Sequence, residues 1–202
     1  MVTPPVFRAH ASLFYCGYGN SMKPQKRLIA LSCAVALSML CGCAAKVKSG
    51  GSAALAIPEA AKQNLVVAIK GAEQVEQNPD WNLLKRDWNN ALQIEARQAG
   101  FNVTESSAVA PTGEDGVGIS INVSKFRYIE PGSRYVAGAL VGNAWVFSRA
   151  DYCDLKSGTP IGSRTYDTSS SAWEGVASAM TQKQVQAIAK QMISDIKNAK
   201  TQ

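Results

Sequence analysis

The chain has 202 residues, of which 46% are apolar and 18% are charged, as in an ordinary globular domain with a leader segment. Its formal charge is +6, but four of its 21 basic residues and none of its acidic residues precede position 43. The rest of the chain carries only +2, from 17 basic and 15 acidic residues, which is not the clustered basic charge of nucleic-acid-binding proteins. Nucleic acid is therefore excluded as a partner.

The start of the chain predicts a targeting segment. Residues 1–21 show no recognisable pattern, whereas a start at Met22 gives a leader of ordinary length. We interpret residues 1–21 as an upstream extension from a misassigned start codon, with a tolerated N-terminal extension as the alternative. After Met22, three basic residues precede an apolar run of 13 residues, Leu28 to Leu40, which is too short to span a membrane. Residues 22–42 are therefore predicted to be a secretory signal peptide.

The leader ends on Leu40-Cys41-Gly42-Cys43, which resembles the bacterial lipobox: an apolar residue, two small residues and a cysteine. Cys41 does not fit as the modified cysteine, because bulky Leu40 would then occupy a position that requires a small residue. The resemblance implies a diacylglycerol thioether on Cys43, cleavage before it, and acylation of the new amine by a fatty acid such as palmitate. Ala44 at the next position implies export to the outer membrane, with the domain facing the periplasm.

Residues 43–57 carry the lipidated cysteine and a run of small residues with Gly50-Gly51-Ser52 at its centre. This composition predicts a flexible tether, and a coil of about 14 residues spans roughly 20 Å. Lys46 and Lys48 are candidates for contact with anionic lipid, with simple solvation as the alternative. Residues 58–202 are predicted to form a single periplasmic domain.

Apolar patterns predict the first half of this domain. A β-branched run over residues 64–70 indicates a buried strand, and a helix is expected from a cap at Asn78 to Gly100. Residues 101–104 are a second expected strand, and apolar residues alternate with small or polar ones over 117–129, as in a half-buried strand. The apolar residues of the helix recur at helical spacing: Trp81, Leu84, Trp88, Leu92 and Ala96.

The second half is expected to contain a glycine-rich connection over residues 130–143 and a β-hairpin over 144–168, with its turn at 156–159. Ser171 and Glu174 form a capping-box pattern ahead of a final amphipathic helix. The order β-α-β-β-β-β-α predicts an α+β domain, with a mostly antiparallel sheet of about five strands and two helices packed on one face.

Part of this half resembles an uncharacterised bacterial lipoprotein family, domain of unknown function 4410. The matching residues are Glu130 to Arg134, Gly138 and Gly142, and Asp154 with Gly158. The resemblance extends over Lys125 to Lys197, and the glycine-spaced segment is bulkier here, at Leu140, Val141 and Asn143. Because the family has no settled activity, the resemblance implies the fold of a lipoprotein domain rather than a function.

Histidine and cysteine, two residue types common in catalytic and metal sites, are scarce after position 43. The only histidine, His10, lies in the leader, so the commonest general base and metal ligand is missing from the expected mature chain. Cys153 is the one cysteine besides Cys43, which excludes an intramolecular disulfide and makes a zinc site implausible. Asp151 and Asp154 are candidates for a cation, with solvation at a strand end as the alternative. No G-x-S-x-G motif marks a nucleophile, and a hydrolase is the least favoured hypothesis.

These observations predict a non-catalytic, lipid-anchored envelope protein whose domain binds a protein partner or envelope component. The alternative is an oligomerising structural or accessory subunit of an envelope secretion or transport assembly. Tyr135, Leu140 and Val141 are the candidate interaction surface, because clustered apolar side chains on a loop often mark a contact, with a core-covering edge as their alternative. No catalytic, cofactor-binding or metal-binding residue is predicted, and the lipid on Cys43 is the only attached group expected.

Overall fold

The computed structural model describes residues 45–51, 54–130, 143–169 and 181–201, which contain one six-stranded sheet, three α-helices and a 3-10 turn. The strands are β1 (Val47–Gly50), β2 (Asn64–Gly71), β3 (Asn102–Glu105), β4 (Val117–Arg127), β5 (Trp145–Asp154) and β6 (Pro160–Ser169). The helices are α1 (Glu73–Glu76), α2 (Trp81–Ala99) and α3 (Thr181–Lys197), and the 3-10 turn spans Glu59–Gln63.

The sheet is mixed, with the strand order β1-β6-β5-β4-β2-β3. Antiparallel pairs join β1, β6, β5 and β4, whereas β2 runs parallel to both β4 and β3. The expected combination of one sheet with helices is confirmed, but the prediction of about five mostly antiparallel strands is wrong in strand number and in the pairings of β2. The β2–α2–β3 connection explains the β2–β3 pairing, because a helix between two neighbouring strands returns the chain to the same end of the sheet.

The sixth strand lies in the segment that the sequence predicts to be a flexible tether. β1 pairs antiparallel with β6 at the edge of the sheet. Farther along, Leu55 and Ile57 are buried in the core, and the N–H of Ile57 donates to the carbonyl oxygen of Lys200 at 2.8 Å. The domain thus begins well before residue 58, because this segment finds both an open strand edge and apolar side chains to pack against.

Helix α2 follows the predicted apolar pattern, since the residues that recur at helical spacing are all buried. Its start differs by two residues: Asp80 occupies the N-cap position, and Asn78 Oδ1 accepts a hydrogen bond from the N–H of Asp80 at 2.9 Å in the turn before the helix. Gly100 ends the helix with φ of 83°, a left-handed conformation that glycine adopts without steric cost. The predicted C-terminal glycine is therefore confirmed.

Strand β4 contains a bulge that keeps its apolar residues on one face. Alternate residues from Val117 to Val123 are buried, as the sequence predicts. The pairing with β5 then shifts register between Val123 and Lys125. After this shift Phe126 also faces the core, where its ring centre lies 6.3 Å from that of Trp81. One extra residue thus changes the spacing of buried positions from two to three without turning the strand over.

Both long helices pack on the core face of the sheet. Tyr128, just beyond β4, donates to Asp87 of α2 at 2.6 Å, and Tyr166 of β6 donates to Asp195 of α3 at 2.7 Å. Side chains of both helices join the strand residues in one hydrophobic cluster. This agrees with the predicted packing of two helices on one face, whereas the capping box expected ahead of α3 lies outside the described residues.

Candidate functional site

The side of the sheet that faces away from α2 and α3 is partly uncovered, and we call it the open face. Along β5, the even-numbered residues from Val146 to Tyr152 are buried toward the helices. The odd-numbered residues from Trp145 to Asp151 point to the open face and are partly or fully exposed. The open face is therefore the part of the sheet whose side chains are available to a ligand.

One end of the open face is covered by the loop over residues 106–116. The N–H of Thr112 donates to the carbonyl oxygen of Leu155 at 2.8 Å and holds this loop against the sheet. Gly118 of β4 lies beside Val109 of the loop, and a Cβ atom at Gly118 would come within 2.7 Å of Cys153 Sγ. Burial raises the pKa of the Cys153 thiol, which keeps it in its less reactive protonated form. This end of the face is a packed layer.

A groove of about 540 Å³ crosses the middle of the open face. Arg149 is held in place there, since its Nε donates to Asp151 Oδ1 at 2.9 Å and its Nη2 donates to Ser163 Oγ at 3.0 Å. The groove therefore presents polar groups of several kinds around one aromatic ring. Its lining includes Asn122, Phe147, Arg149, Thr165 and Asp167.

The end of the open face opposite the loop carries mostly basic and aromatic side chains. Lys125 Nζ lies 4.6 Å from the centre of the Phe147 ring, and the ring centres of Phe147 and Trp145 are 6.5 Å apart. A second groove of about 280 Å³ lies between the β1 edge and β5, with one acidic residue, Asp167, in its lining. We call the following residues the basic end: Lys46, Lys48, Lys125, Trp145 and Phe147.

A hydrogen-bond network inside the core joins the sheet to α3. The hydroxyl oxygens of Tyr152 and Tyr166 are 2.8 Å apart, and Tyr166 donates to Asp195 Oδ2 at 2.7 Å. Burial raises the pKa of both tyrosines above its usual range. Both hydroxyls stay protonated at neutral pH, so the network suits the positioning of α3 rather than proton transfer.

Helix α3 contains one pair with the S-x-x-K spacing of Ser–Lys hydrolases, Ser194 and Lys197. Ser194 Oγ accepts a hydrogen bond from Asn198 Nδ2 at 3.1 Å. The hydrogen bonds found among the described residues include none between Ser194 and Lys197. The spacing alone does not make a nucleophile and its base, so this pair adds no support for a hydrolase.

The predicted anchor and the predicted interaction surface lie outside the described residues. This applies to the lipobox residues Leu40, Cys41 and Gly42 with the lipidation site Cys43, and to Tyr135, Leu140 and Val141. Both assignments stay predictions.

The two candidate cation ligands do not form one site. Asp151 pairs with Arg149, whereas Asp154 accepts a hydrogen bond from Ser157 Oγ at 2.6 Å in the hairpin turn. Within the described ranges, no three His, Cys, Asp or Glu side chains are grouped to hold a metal ion. None of the helices in these ranges combines the length and the apolar character needed to cross a bilayer.

Sequence reasoning found part of the basic end. The alternation in Lys46-Val47-Lys48 already places both lysines on one face of an extended chain. Local pattern does not link Lys125, Trp145 and Phe147 to these lysines, because the three lie far along the chain and share a face with them only after strand pairing. The bulge in β4 also changes which face Lys125 occupies.

Comparisons with known proteins give only distant structural likeness. No family model and no curated protein matches this chain. The PelC dodecamer from Paraburkholderia phytofirmans is 18% identical, covers 71% of this chain and 96% of its own, and has a TM-score of 0.42. A protein from Xanthomonas campestris, described by the family model DUF330, is 14% identical to this chain. The match covers 74% of this chain and 90% of that protein, with a TM-score of 0.42. A putative neuraminyllactose-binding hemagglutinin homolog from Helicobacter pylori is 12% identical. That match covers 72% of this chain and 89% of the homolog, with a TM-score of 0.35. These values carry no argument about function.

Proposed function

We propose that this chain is a non-catalytic, lipid-anchored protein of the bacterial outer membrane, whose periplasmic domain binds a protein partner or another envelope component. The lipobox residues Leu40 to Cys43 support the anchor, and the signal-peptide pattern before them supports export. The lack of histidine after residue 43 disfavours acid–base catalysis.

The observation that carries the binding role is the groove on the open face. Arg149 is fixed by Asp151 and Ser163 beside the partly exposed ring of Phe147. Oriented polar groups around an aromatic ring in a concave surface are the usual features of a binding site. Because the groove is shallow and crosses several strands, it suits an extended segment of a partner better than a small enclosed ligand.

The domain would be held close to the membrane. Three residues separate Cys43 from Val47, the first residue of β1, so their Cα atoms are at most about 14 Å apart. A lipid on Cys43 would therefore keep the open face near the headgroups, where components of the envelope are met.

The anchor is tested by fatty-acid labelling of cells that express the full chain. We expect Cys43→Ala to abolish labelling and leave an uncut precursor, because the thiol that carries the diacylglycerol is gone. Cys41→Ala is the matched control and should still be labelled and cut. A requirement for Cys41 instead of Cys43 would contradict the proposal.

The binding role is tested by a photoreactive amino acid at Thr165, on the groove, in living cells. We expect one envelope component to be captured, and Arg149→Gln together with Asn122→Ala to remove the captured band. Arg97→Gln, on the exposed surface of α2, is the control and should leave capture unchanged. Capture that persists in the groove variant would contradict the assignment of the groove.

The alternative function is an oligomerising subunit of an envelope secretion or transport assembly. Light scattering on the chain extracted in detergent separates the two proposals. A stable ring or other defined oligomer favours the alternative, whereas a monomer that still captures its partner through Thr165 favours the binding module.

A further inference from the structure

We propose that the basic end of the open face rests on the anionic headgroups of the membrane that holds Cys43. The proposal rests on the lipid anchor put forward above and adds an orientation to it. It concerns Lys46, Lys48, Lys125, Trp145 and Phe147, all of which are described residues.

The position of β1 in the chain brings this surface to the membrane. Lys46 follows Cys43 by three residues, so their Cα atoms are separated by at most about 11 Å. The headgroup region on each side of a bilayer is roughly 5–8 Å thick. Lys46 and Lys48 are exposed, and both line the groove between the β1 edge and β5. A lipid on Cys43 therefore keeps Lys46 within reach of the headgroups, and Lys48, two residues farther along, has its Cα at most about 18 Å from that of Cys43.

The other residues of the basic end lie at the same end of the sheet as Lys46 and Lys48. Trp145 is the first residue of β5 and lies opposite Arg127, the last residue of β4. β1 begins opposite the end of β6, where Val47 pairs with Thr168. The N-terminal ends of β1 and β5 and the C-terminal ends of β4 and β6 thus lie together, at the end of the sheet nearest to Cys43.

The chemistry of the basic end matches an anionic lipid surface. Among the described residues that line the second groove or pair beside it, three ammonium groups face one carboxylate, Asp167, so this part of the surface is positive. Lysines near an anionic leaflet each add to its attraction for a protein, and amphipathic aromatic rings such as that of tryptophan concentrate at headgroup depth. Lys125 lies over the ring of Phe147 and Trp145 lies beside it, so basic and aromatic groups form one continuous surface.

Docking through this end covers Phe147, which lines the groove as well, and leaves the Arg149 side of the groove free. Arg149 lies four residues beyond Trp145 along β5, a distance of about 13 Å in an extended strand. This separation exceeds the thickness of the headgroup region. The orientation would hold the part of the groove around Arg149 and Thr165 above the headgroups and open toward the periplasm.

The experiment uses the full chain, purified from membranes with its fatty acid and reconstituted into vesicles. Two compositions are compared: phosphatidylcholine alone, and equal parts of phosphatidylcholine and phosphatidylglycerol. The readout is quenching of Trp145 fluorescence by lipids brominated near the headgroup end of the acyl chain. All chains carry Trp173→Phe, and the remaining Trp81 and Trp88 are buried in the core and add a constant background.

We expect quenching in the anionic vesicles, its loss in about 1 M salt, where the Debye length falls to about 3 Å, and its loss in Trp145→Phe. The triple variant Lys46→Gln, Lys48→Gln and Lys125→Gln should lower the ratio of docked to undocked domain about 100-fold, or roughly fivefold for each lysine. The control triple variant removes the same charge from exposed positions elsewhere and should dock like the original chain: Arg97→Gln, Lys190→Gln and Lys200→Gln.

The outcomes separate this proposal from the lipid anchor itself. A fatty-acid-labelled chain whose Trp145 is never quenched overturns docking and leaves the anchor standing. Equal quenching in both compositions overturns the role of anionic lipid. Protection of Trp145 from both brominated lipid and aqueous acrylamide means that a protein or a second copy covers the surface, which also overturns docking. A chain without fatty acid overturns both proposals.

Discussion

Lys62 lies almost wholly inside the domain, although lysine is one of the residues least often buried. Its side chain is 4% exposed. The ammonium donates to Glu59 Oε2 at 2.8 Å and to the carbonyl oxygens of Ala199 and Lys197 at 3.1 and 3.4 Å. Helix α3 ends at Lys197, whose carbonyl is one of those that a helix leaves without intrahelical partners, and Ala199 lies two residues beyond this end. Lys62 thus serves as a C-terminal cap supplied from a distant part of the chain.

We expect Lys62→Met to lower the free energy of unfolding by about 1–3 kcal/mol, because the carbonyl groups of Lys197, at the end of α3, and Ala199, just beyond it, lose their donor. Methionine keeps most of the buried volume, so the change reports on the hydrogen bonds rather than on a cavity. Glu59→Gln is the control and should cost less than about 1 kcal/mol, since Glu59 is exposed and its ion pair is screened by solvent. Urea unfolding measures the free energy of unfolding of both variants. Equal stability of Lys62→Met and the original chain would show that burial of the ammonium outweighs its bonds.

The hairpin turn between β5 and β6 depends on the carboxylate of Asp154. This carboxylate accepts hydrogen bonds from Ser157 Oγ at 2.6 Å and from the N–H groups of Lys156 and Ser157 at 3.2 and 3.3 Å. The hydroxyl of Ser157, followed by these N–H groups, holds the pKa of Asp154 below its usual range. The turn is thus built around a charged acceptor, as the sequence pattern of residues 154–158 suggests.

A folded-state pKa below the unfolded value means that the carboxylate contributes stability above about pH 4, the unfolded pKa, and that this contribution is lost as pH falls through the folded pKa. We expect Asp154→Asn to be less stable than the original chain at pH 7, by less than about 1 kcal/mol because the site is open to solvent. The two chains should become equally stable in acid. Urea unfolding between neutral and acidic pH measures the difference.

Ser157→Ala removes the strongest of the turn's bonds to Asp154 and should show the same pH dependence at smaller size. Ser107→Ala, an exposed serine on the loop over the open face, is the matched control and should follow the original chain at every pH. A constant difference between Asp154→Asn and the original chain across the pH range would contradict the role of the charge.

Three tyrosines are expected to make the stability of the whole molecule sensitive to alkaline pH. Tyr152 and Tyr166 meet in the core, and Tyr128 donates to Asp87 on α2. Burial is the main reason that the pKa of each phenol lies above its usual range. For Tyr128, the hydrogen bond to Asp87 raises the pKa further. These groups join both long helices to the sheet, so their ionisation is coupled to unfolding of the domain as a unit.

A raised folded-state pKa leaves stability intact below the unfolded pKa of about 10 and removes it as pH rises beyond that value, because the unfolded chain then releases protons that the fold retains. We expect the free energy of unfolding to fall by up to about 1.4 kcal/mol per pH unit for each tyrosine above pH 10. Tyr128→Phe with Tyr152→Phe should make this decline shallower. Urea unfolding at pH 8 to 11 measures the slope. A slope unchanged in the double variant would show that other groups govern alkaline unfolding.

At the scale of the whole chain, local sequence patterns were enough to predict most of the helices and strands. The apolar spacing of α2 and the alternation in β4 predict which side of the helix or strand is buried, and the fold confirms both predictions. Gly100 ends α2 because its own lack of a Cβ atom permits the required φ. The signal peptide and the lipidation of Cys43 are also read from contiguous residues, and they stay predictions.

The tertiary structure alone decided three features: the strand over Val47–Gly50, the parallel pairing of β2, and the placement of Lys125, Trp145 and Phe147 beside Lys46 and Lys48 in the basic end. A segment of small residues becomes a strand only where a neighbouring edge is free to pair with it, and β6 supplies that edge. Likewise, Lys46, Lys125 and Trp145 share a surface only because strand order and one bulge bring three separate parts of the chain to the same side of the sheet. Local sequence sets which side of an element is apolar, whereas long-range pairing sets which elements are neighbours, and the open face depends on the second.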